Sequence, residues 1–218
     1  YWRDRELVFY VIILAGATMA VFLDNTISRS EFGEKVFRES LFQVVSITTT
    51  TGFCTADFDA WPSFSRMMLL ALMFVGGCAG STGGGMKVIR LLMILKAGKV
   101  EMKKMLHPRA VFLVKVKQIT VRPDVMLNVL GFFTLYIGIF LFSSFIMAIL
   151  GMDIISAMGS VAATLGNIGP GLGVVGPTLN YAEVPVLGKW VLSACMLVGR
   201  LEIYTVIILL LPEFWKKY

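Results

Sequence analysis

The amino-acid sequence predicts an all-α polytopic membrane protein built from two tandem repeats, each a helix, a pore loop and a second helix. Two observations carry this prediction. Hydrophobic residues make up 57% of the 218 residues and the mean hydropathy is +0.80, which lies outside the range of soluble globular chains. The chain also aligns with itself, because residues 7–23 fall on 124–140 when Gly52 is laid on Gly169. Internal self-similarity of this kind marks a structural repeat.

The two copies share further positions. Residues 50–53 align with 167–170, and residues 73–77 align with 196–200 after a further shift of six positions. A longer loop after the second glycine accounts for that shift. The predicted organisation is therefore a first repeat at 1–96 whose second helix is broken, a basic cytoplasmic connector at 97–122, and a second repeat at 123–218.

The first repeat opens with the apolar run 7–23, close to the roughly 20 residues that cross a bilayer as a helix. The polar segment 24–38 is expected to lie outside the hydrocarbon. Residues 36–47 are apolar but too short to cross, so we predict a pore helix that enters part way, with the negative end of its dipole attracting a cation. Asp57 and Asp59 follow, in either an outer vestibule or an ordinary acidic loop.

Threonines followed by a glycine come directly after the predicted pore helix. The threonines favour an extended backbone and the glycine permits an unusual dihedral, so successive carbonyls can point to one side. Rings of such carbonyls replace the hydration shell of potassium in selectivity filters. The alternatives are a β-prone threonine run and hydroxyls that pack membrane helices. We predict filter strands at Thr50, Thr51, Gly52 and Phe53 and at Asn167, Ile168, Gly169 and Pro170, with potassium bound by the carbonyls of Thr50, Thr51, Gly52, Asn167, Ile168 and Gly169.

Six glycines within residues 76–85 interrupt the second helix of the first repeat. Each glycine costs about 1 kcal/mol relative to alanine in a helix, so the helix is expected to break. A break at membrane depth survives where its carbonyls face protein or a water-filled cavity. A flexible linker is the alternative; a phosphate loop is excluded because no strand precedes it and its ending differs. The predicted gating loop comprises Gly80, Ser81, Thr82, Gly83, Gly84 and Gly85.

Basic residues dominate the connector, since residues 96–122 contain eight lysines and arginines and a single acidic residue, Glu101. The positive-inside rule therefore predicts a cytoplasmic connector and pore loops that enter from the outer side. Contact with lipid headgroups or with a partner protein is also open. His107 has no second ligand nearby in the sequence and is predicted to be structural.

The second repeat follows the same order, with spans predicted at 124–150 and 186–211, a pore helix at 153–165 and an outer loop at 171–184. Arg200 comes eleven residues after Lys189, hence about 16 Å deeper in a helix. We predict that Arg200 lies below the filter, holds the gating loop across the pore and adds a positive barrier. The alternative is a structural arginine that pins two helices.

Several function classes lack the residues that they require. The spans carry no paired carboxylates, no histidine cluster and no nucleophile beside a base, so an enzyme is not predicted. The net charge of +6 arises between spans rather than on a face with interleaved aromatics, so nucleic acid is not expected as a partner. The three cysteines have no metal-like spacing. No tightly bound cofactor is predicted, only potassium ions; a non-conducting scaffold remains a further class.

Five motifs carry a resemblance to one family, namely residues 49–53, 83–87, 106–108, 167–171 and 199–202. On these motifs the chain resembles the carboxy-terminal half of the TrkH-type subunits in the Trk/Ktr/HKT superfamily of potassium transport proteins. The resemblance implies potassium uptake through a fourfold pseudo-symmetric, potassium-channel-like pore in the bacterial inner membrane. Glycine rather than serine at positions 52 and 169 implies potassium over sodium.

The resemblance also implies partners. The family builds its pore from four repeats, so either a missing amino-terminal half supplies two more or copies of the chain associate; the start at Tyr1 without a methionine favours the missing half. A homodimer, membrane lipid and a cytoplasmic nucleotide-binding regulatory ring are the other expected partners. A proton- or sodium-coupled symporter is the alternative function, although the ionisable residues within the spans are few: Lys87, Arg90, Arg200 and Glu202.

Overall fold

The computed structural model describes residues 4–29, 33–107, 110, 112–116, 119–201 and 203–216. Helices make up almost all of the regular structure, which confirms the predicted all-α class; the exception is a two-residue antiparallel pair, β1 (Lys115–Val116) and β2 (Ile119–Thr120). The helices are α1 (Arg5–Arg29), α2 (Glu34–Thr48), α3 (Ser63–Met73), α4 (Val88–Leu106), α5 (Pro123–Ile149), α6 (Ile154–Leu165), α7 (Val186–Leu201), α8 (Ile203–Leu210) and α9 (Pro212–Trp215).

Some residues used in the sequence analysis lie outside the described part of the chain. They include Tyr1 at the start, Pro108 of the motif 106–108 and Glu202 of the motif 199–202.

Two described helices, α1 and α5, are long and apolar enough to cross a membrane. Each contains an 18-residue stretch with a mean hydropathy of 2.2. The predicted span 186–211 is not one straight helix, since α7 and α8 meet at a bend of 112°. Helix α8 turns back onto the start of α5, where the Tyr204 hydroxyl donates to the Asn128 carbonyl at 2.8 Å. This docking of α8 is the physical reason for the difference.

Helix α1 continues six residues beyond the predicted span, to Arg29. The extension is polar but packed rather than loose. One Asp24 carboxylate oxygen accepts hydrogen bonds from the Ser65 backbone nitrogen at 3.0 Å and from its hydroxyl at 2.5 Å. The Asn25 amide donates to the Val21 carbonyl at 3.0 Å. The bonds between Asp24 and Ser65 of α3 stabilise the helical form of residues 24–29, and the prediction that this segment lies outside the hydrocarbon stays a prediction.

The predicted helix break lies between Met73 and Val88. The two ends of the break lie side by side. The Gly76 nitrogen donates to the Met86 carbonyl at 2.9 Å, and the Met86 nitrogen donates to the Phe74 carbonyl at 3.0 Å. These bonds satisfy backbone groups that a broken helix would leave without partners. Helix α4 then runs to Leu106, so the predicted boundary at residue 96 falls inside a helix.

The second predicted pore helix, α6, is the most enclosed of the described helices. Nine of its twelve residues are buried, and it packs against both α5 and α7. Gly159 permits a close approach of the following loop, since a Cβ there would lie 2.7 Å from the Leu172 backbone nitrogen. Small residues let membrane helices and loops approach closely. The start of α6 is fixed by Asp153, whose carboxylate accepts from the backbone nitrogens of Ile155 and Ser156 at 3.1 and 3.2 Å.

Candidate functional site

Both predicted filter segments begin where a pore helix ends, and both leave it through the same backbone turn. The Thr50 nitrogen donates to the Ile47 carbonyl at 3.0 Å, and the Asn167 nitrogen donates to the Thr164 carbonyl at 3.0 Å. The next residues repeat the pattern, with Thr51 bonded to Ser46 and Ile168 bonded to Ala163, both at 2.9 Å. Each donor and each acceptor in the first repeat lies 117 positions before its counterpart in the second, which is the offset of the sequence alignment. The repeat is therefore present in the backbone as well as in the sequence.

Positive φ angles recur at the same positions. Thr50 and Asn167 have φ of 56° and 53°, and they are the non-glycine residues with positive φ in the described part of the chain. Gly52 and Gly169 follow two positions later, with φ of 79° and 113°. A threonine in this region is strained, at a cost of order 1–3 kcal/mol, and such strain clusters at functional sites. A β-prone threonine run does not account for this backbone.

The two filter segments also approach each other. A Cβ on Gly52 would overlap the Ile168 carbonyl oxygen and lie 3.3 Å from the Pro170 ring. Gly52 is thus required by its φ and by the close approach of a neighbouring backbone. At Gly169 nothing lies within 4 Å of such a Cβ, so only φ requires a glycine there. Both segments line a cavity of about 370 Å³, with Gly52, Gly169 and Tyr181 among its residues.

Hydroxyl and thiol groups hold the first segment. The Ser46 hydroxyl donates to the Phe53 carbonyl at 2.7 Å, which ties the end of the segment to the pore helix. The Thr49 hydroxyl donates to the Val45 carbonyl and lies 2.8 Å from the Thr51 hydroxyl. The Cys54 thiol, 3.7 Å from the Gly52 carbonyl oxygen, is a weak donor.

Different side chains hold the second segment. The Asn167 amide donates to the Met196 carbonyl of α7 at 3.1 Å. The Tyr181 hydroxyl donates to the Gly169 carbonyl at 2.6 Å, a short bond to one of the predicted ion-binding oxygens. Tyr181 was not among the predicted site residues. The available signal was the offset of 123 positions, which pairs Tyr181 with Phe58 and so marks a hydroxyl that the first repeat lacks.

Asp59 joins the loops that follow the two filter segments. Its Oδ1 accepts from the Gly173 backbone nitrogen at 3.1 Å and from the Arg66 guanidinium at 3.0 Å. Asp57 caps the short turn Phe58–Ala60 by accepting from the Asp59 nitrogen. The two interpretations left open for these carboxylates were an outer vestibule and an ordinary acidic loop. The contacts of Asp59 are structural, because they connect two loops of the protein.

The predicted gating loop lies against both filter segments. A Cβ on Gly83 would lie 2.7 Å from the Thr50 hydroxyl oxygen. A Cβ on Gly84 would overlap the Gly166 carbonyl oxygen and lie 3.1 Å from the Asn167 Cβ. The absence of side chains at these two glycines lets the loop pass directly against residues 50 and 167, where the predicted pore helices end.

Lys87 holds this loop. Its ammonium donates to the carbonyls of Ser81 and Gly83, both at 2.6 Å. A second tether comes from α1, where the buried Glu6 carboxylate accepts from the Ala79 nitrogen at 2.5 Å. Lys87 was predicted only as an ionisable residue in a span, and Glu6 was not among the predicted site residues. Neither contact has a sequence signal, because the acceptor and donor groups belong to the backbone.

Arg200 lines a cavity of about 130 Å³ together with Ser81, Thr82, Gly83 and Lys87. Arg200 thus shares a cavity with the loop, but the hydrogen bonds from a described side chain to the loop carbonyls come from Lys87 and not from Arg200. Arg90, on the same cavity, stacks over the Phe132 ring at 4.0 Å. The proposed barrier role of Arg200 stays a prediction.

A family model described as a cation transport protein, TrkH, matches residues 6–217. The chain belongs to the TrkH family. This membership confirms the resemblance drawn from the motifs, and since the family is one of transport proteins, the prediction that the chain is not an enzyme is confirmed as well.

Curated relatives within the TrkH family are similar along the whole chain. The Trk system potassium uptake protein TrkH of Halomonas elongata is 41% identical over 217 residues, which is 100% of this chain and 45% of the relative. The Vibrio parahaemolyticus protein of the same name is 44% identical over 220 residues, covering 100% and 44%. The chain spans about half the length of the curated relatives it matches.

A solved structure agrees with the fold. The crystal structure of the potassium transporter TrkH from Vibrio parahaemolyticus matches with a TM-score of 0.91 and 45% identity, over 99% of this chain and 46% of that chain. The predicted fold class, a polytopic helical membrane protein, is confirmed by this match.

Proposed function

We propose that this chain forms half of a potassium uptake pore, with residues 50–53 and 167–170 contributing two of four strands to one selectivity filter. The observation that carries the proposal is the backbone turn repeated at both segments, with positive φ at Thr50 and Gly52 and at Asn167 and Gly169. A φ value of this kind at a threonine is expensive, and a filter that presents backbone carbonyls to an ion gives a reason to retain it. Relatives named potassium uptake proteins support the choice of ion.

Two strands do not close a fourfold ring. The chain covers 45% of the Halomonas elongata relative, so we propose that an amino-terminal half with two further repeats completes the ring. A second copy of the protein, a cytoplasmic nucleotide-binding ring and membrane lipid remain proposed partners. The bacterial inner membrane is the proposed location, with pore loops entering from the outer side.

The loop at 80–85 is the proposed gate. It passes beneath both filter strands through Gly83 and Gly84, and Lys87 ties it down. Arg200, on the same cavity, adds positive charge on the path of a cation leaving the filter. Buried charge in a low-dielectric pore raises the barrier to a like-charged ion. Removing Arg200 is therefore expected to raise the ion flux.

The test is the ratio of potassium to sodium uptake by the full-length protein in proteoliposomes. Gly169→Ser is expected to lower this ratio, because a Cβ at φ of 113° displaces the carbonyl that the filter uses. Gly151→Ser is the matched control, since Gly151 also has positive φ and open space around its Cα but lies outside the filter. An unchanged ratio in Gly169→Ser would contradict the proposed role of the second segment.

The same vesicles separate a uniporter from the coupled alternative. Uptake that follows the electrical gradient alone, with no dependence on an imposed proton or sodium gradient, supports the proposed pore. Uptake that requires either of those gradients would favour the symporter.

A further inference from the structure

The loop after the second filter segment brings a tyrosine to a filter carbonyl. The Tyr181 hydroxyl donates to the Gly169 carbonyl oxygen at 2.6 Å, at the short end of the range for a hydroxyl donor. Burial raises the pKa of Tyr181 to about 12, so the hydroxyl keeps its proton and remains a donor at any physiological pH. The contact therefore does not depend on pH in the physiological range.

Backbone and side-chain bonds fix the position of this tyrosine. Tyr181 starts the short turn Tyr181–Glu183, which Asn180 caps by accepting from the Ala182 nitrogen at 2.8 Å. The Lys189 ammonium of α7 donates to the Ala182 carbonyl at 2.9 Å. The turn is thus anchored both to itself and to a membrane helix. A donor held in this way can restrain its acceptor instead of following it.

The first repeat has no equivalent donor. Its corresponding carbonyl, at Gly52, has the Cys54 thiol at 3.7 Å, and a thiol is a weak donor. The turn Phe58–Ala60 of the first repeat corresponds to the turn Tyr181–Glu183 of the second at the offset of 123 positions. A phenylalanine, which has no hydroxyl, therefore stands in the first repeat where the second has the tyrosine. The first glycine is instead confined by the Ile168 carbonyl and the Pro170 ring next to it. Gly169 has open space at its Cα and gains its restraint from Tyr181.

We propose that Tyr181 is a positioning residue of the filter, which orients the Gly169 carbonyl through its hydroxyl so that the second lone pair of that oxygen faces the ion. A carbonyl oxygen has two lone pairs and can serve a hydroxyl and an ion together. Discrimination between potassium and sodium depends on the number, field strength and freedom of the coordinating carbonyls. A freed Gly169 carbonyl can close around the smaller ion. This inference rests on the proposed filter.

The experiment compares Tyr181→Phe with Tyr204→Phe in the full-length protein. Both changes remove one hydroxyl that donates to a backbone carbonyl, at Gly169 in the first case and at Asn128 in the second. Tyr181→Phe is expected to lower the potassium-to-sodium uptake ratio at least threefold, and Tyr204→Phe is expected to leave it at the wild-type value. The potassium concentration that half-maximally raises the melting temperature is expected to increase only in Tyr181→Phe.

Folded Tyr181→Phe protein with a wild-type uptake ratio would overturn the inference, as would an equal fall of the ratio in both variants. Should Tyr181→Phe not fold, 3,5-difluorotyrosine at position 181 keeps the ring and hydroxyl while changing the strength of the donor; an unchanged ratio in that protein overturns the inference too. Wild-type protein that fails to favour potassium would instead overturn the proposed function, so the two failures are distinguishable.

Discussion

The two filter segments have the same backbone and different supports. Residues 50 and 52 repeat the positive φ of residues 167 and 169. The hydrogen bonds that residues 49–51 donate to the first predicted pore helix have the same lengths as those that residues 166–168 donate to the second. The first segment is held by hydroxyls of its own pore helix, such as that of Ser46, whereas the second is held by Asn167 and Tyr181. The comparison shows that the two repeats share the backbone geometry of this segment, and that different side chains stabilise that geometry in each repeat.

The strain differs as well. Asparagine adopts the left-handed region more readily than other non-glycine residues, whereas a β-branched threonine does so at a higher cost. Thr50 is therefore the more strained of the two equivalent residues. Its hydroxyl lies where a Cβ on Gly83 would meet it, so the strained residue is also the one that the gating loop contacts.

The largest expected effect separates the two filter glycines. Gly52→Ala places a Cβ into the Ile168 carbonyl, so we expect a cost of about 1–3 kcal/mol from overlap and about 1–2 kcal/mol more from the positive φ. Gly169→Ala meets no atom within 4 Å and incurs only the second cost. Thermal unfolding of the full-length variants measures the difference, and equal losses of stability would contradict the distinction between these glycines.

Lys87→Met should have the next largest effect, on flux. The variant loses both bonds to the carbonyls of Ser81 and Gly83, and hydrogen bonds from charged donors contribute about 1.5–3 kcal/mol. We expect a looser loop and a several-fold higher potassium flux. Lys96→Met is the matched control, because it removes a single bond to the Lys115 carbonyl away from the filter. If the two variants conduct alike, Lys87 does not hold the gate.

These expectations rest in part on features that the sequence could predict. The short apolar stretches gave both pore helices to within two residues, for instance 153–165 against the observed Ile154–Leu165. The glycine content gave the break between Met73 and Val88. Both features are local, since they depend on apolar length and on helix propensity within one window of the chain.

The features that the sequence analysis missed depend on tertiary contacts. Lys87 and Tyr181 act on backbone carbonyls, which carry no sequence signature. The bend between α7 and α8 depends on the docking of Tyr204 against Asn128, and the extension of α1 depends on Asp24 meeting Ser65. Except for Lys87, whose acceptors are four and six positions away, the partner lies at least 12 positions away, beyond the reach of periodicity.

A smaller effect is expected at the first residue of each segment. Asn167→Ala removes the bond to the Met196 carbonyl and places alanine at φ of 53°, for a total cost of about 1–2 kcal/mol. Thr50→Ala also leaves alanine at positive φ but removes a β-branched side chain, so its stability should stay within about 0.5 kcal/mol of wild type. Urea or thermal unfolding of both variants measures this, and a larger loss at Thr50 would reverse the assignment of strain.

The smallest effect concerns the starts of the pore helices. Helix α6 is capped by Asp153, whereas the residue before α2 is Gly33, which has no side chain to cap it. Asp153→Ala should cost about 1 kcal/mol. Hydrogen bonds from Ser156 lower the pKa of Asp153 below its usual value, so the carboxylate stabilises the fold above the unfolded-state pKa near 3.9, and this contribution is lost as the pH falls through the lower folded-state value.

The control for this prediction is the pH dependence itself. The ordinary pKa of an aspartate is about 3.9, so the carboxylate stays ionised at neutral and mildly acidic pH. The difference in melting temperature between wild type and Asp153→Ala should therefore be constant from about pH 5 to about pH 7, and it should shrink in more acidic buffer. A difference that grows on acidification would show that the cap does not act as a carboxylate.

The most direct test of the central claim is diffraction from crystals of the full-length protein grown with rubidium or thallium in place of potassium. Both segments are proposed to present carbonyls to one ion path, so anomalous peaks should lie in contact with carbonyl oxygens from residues 50–52 and from residues 167–169 at once. Peaks that contact only one segment, or that lie away from both, would contradict the account.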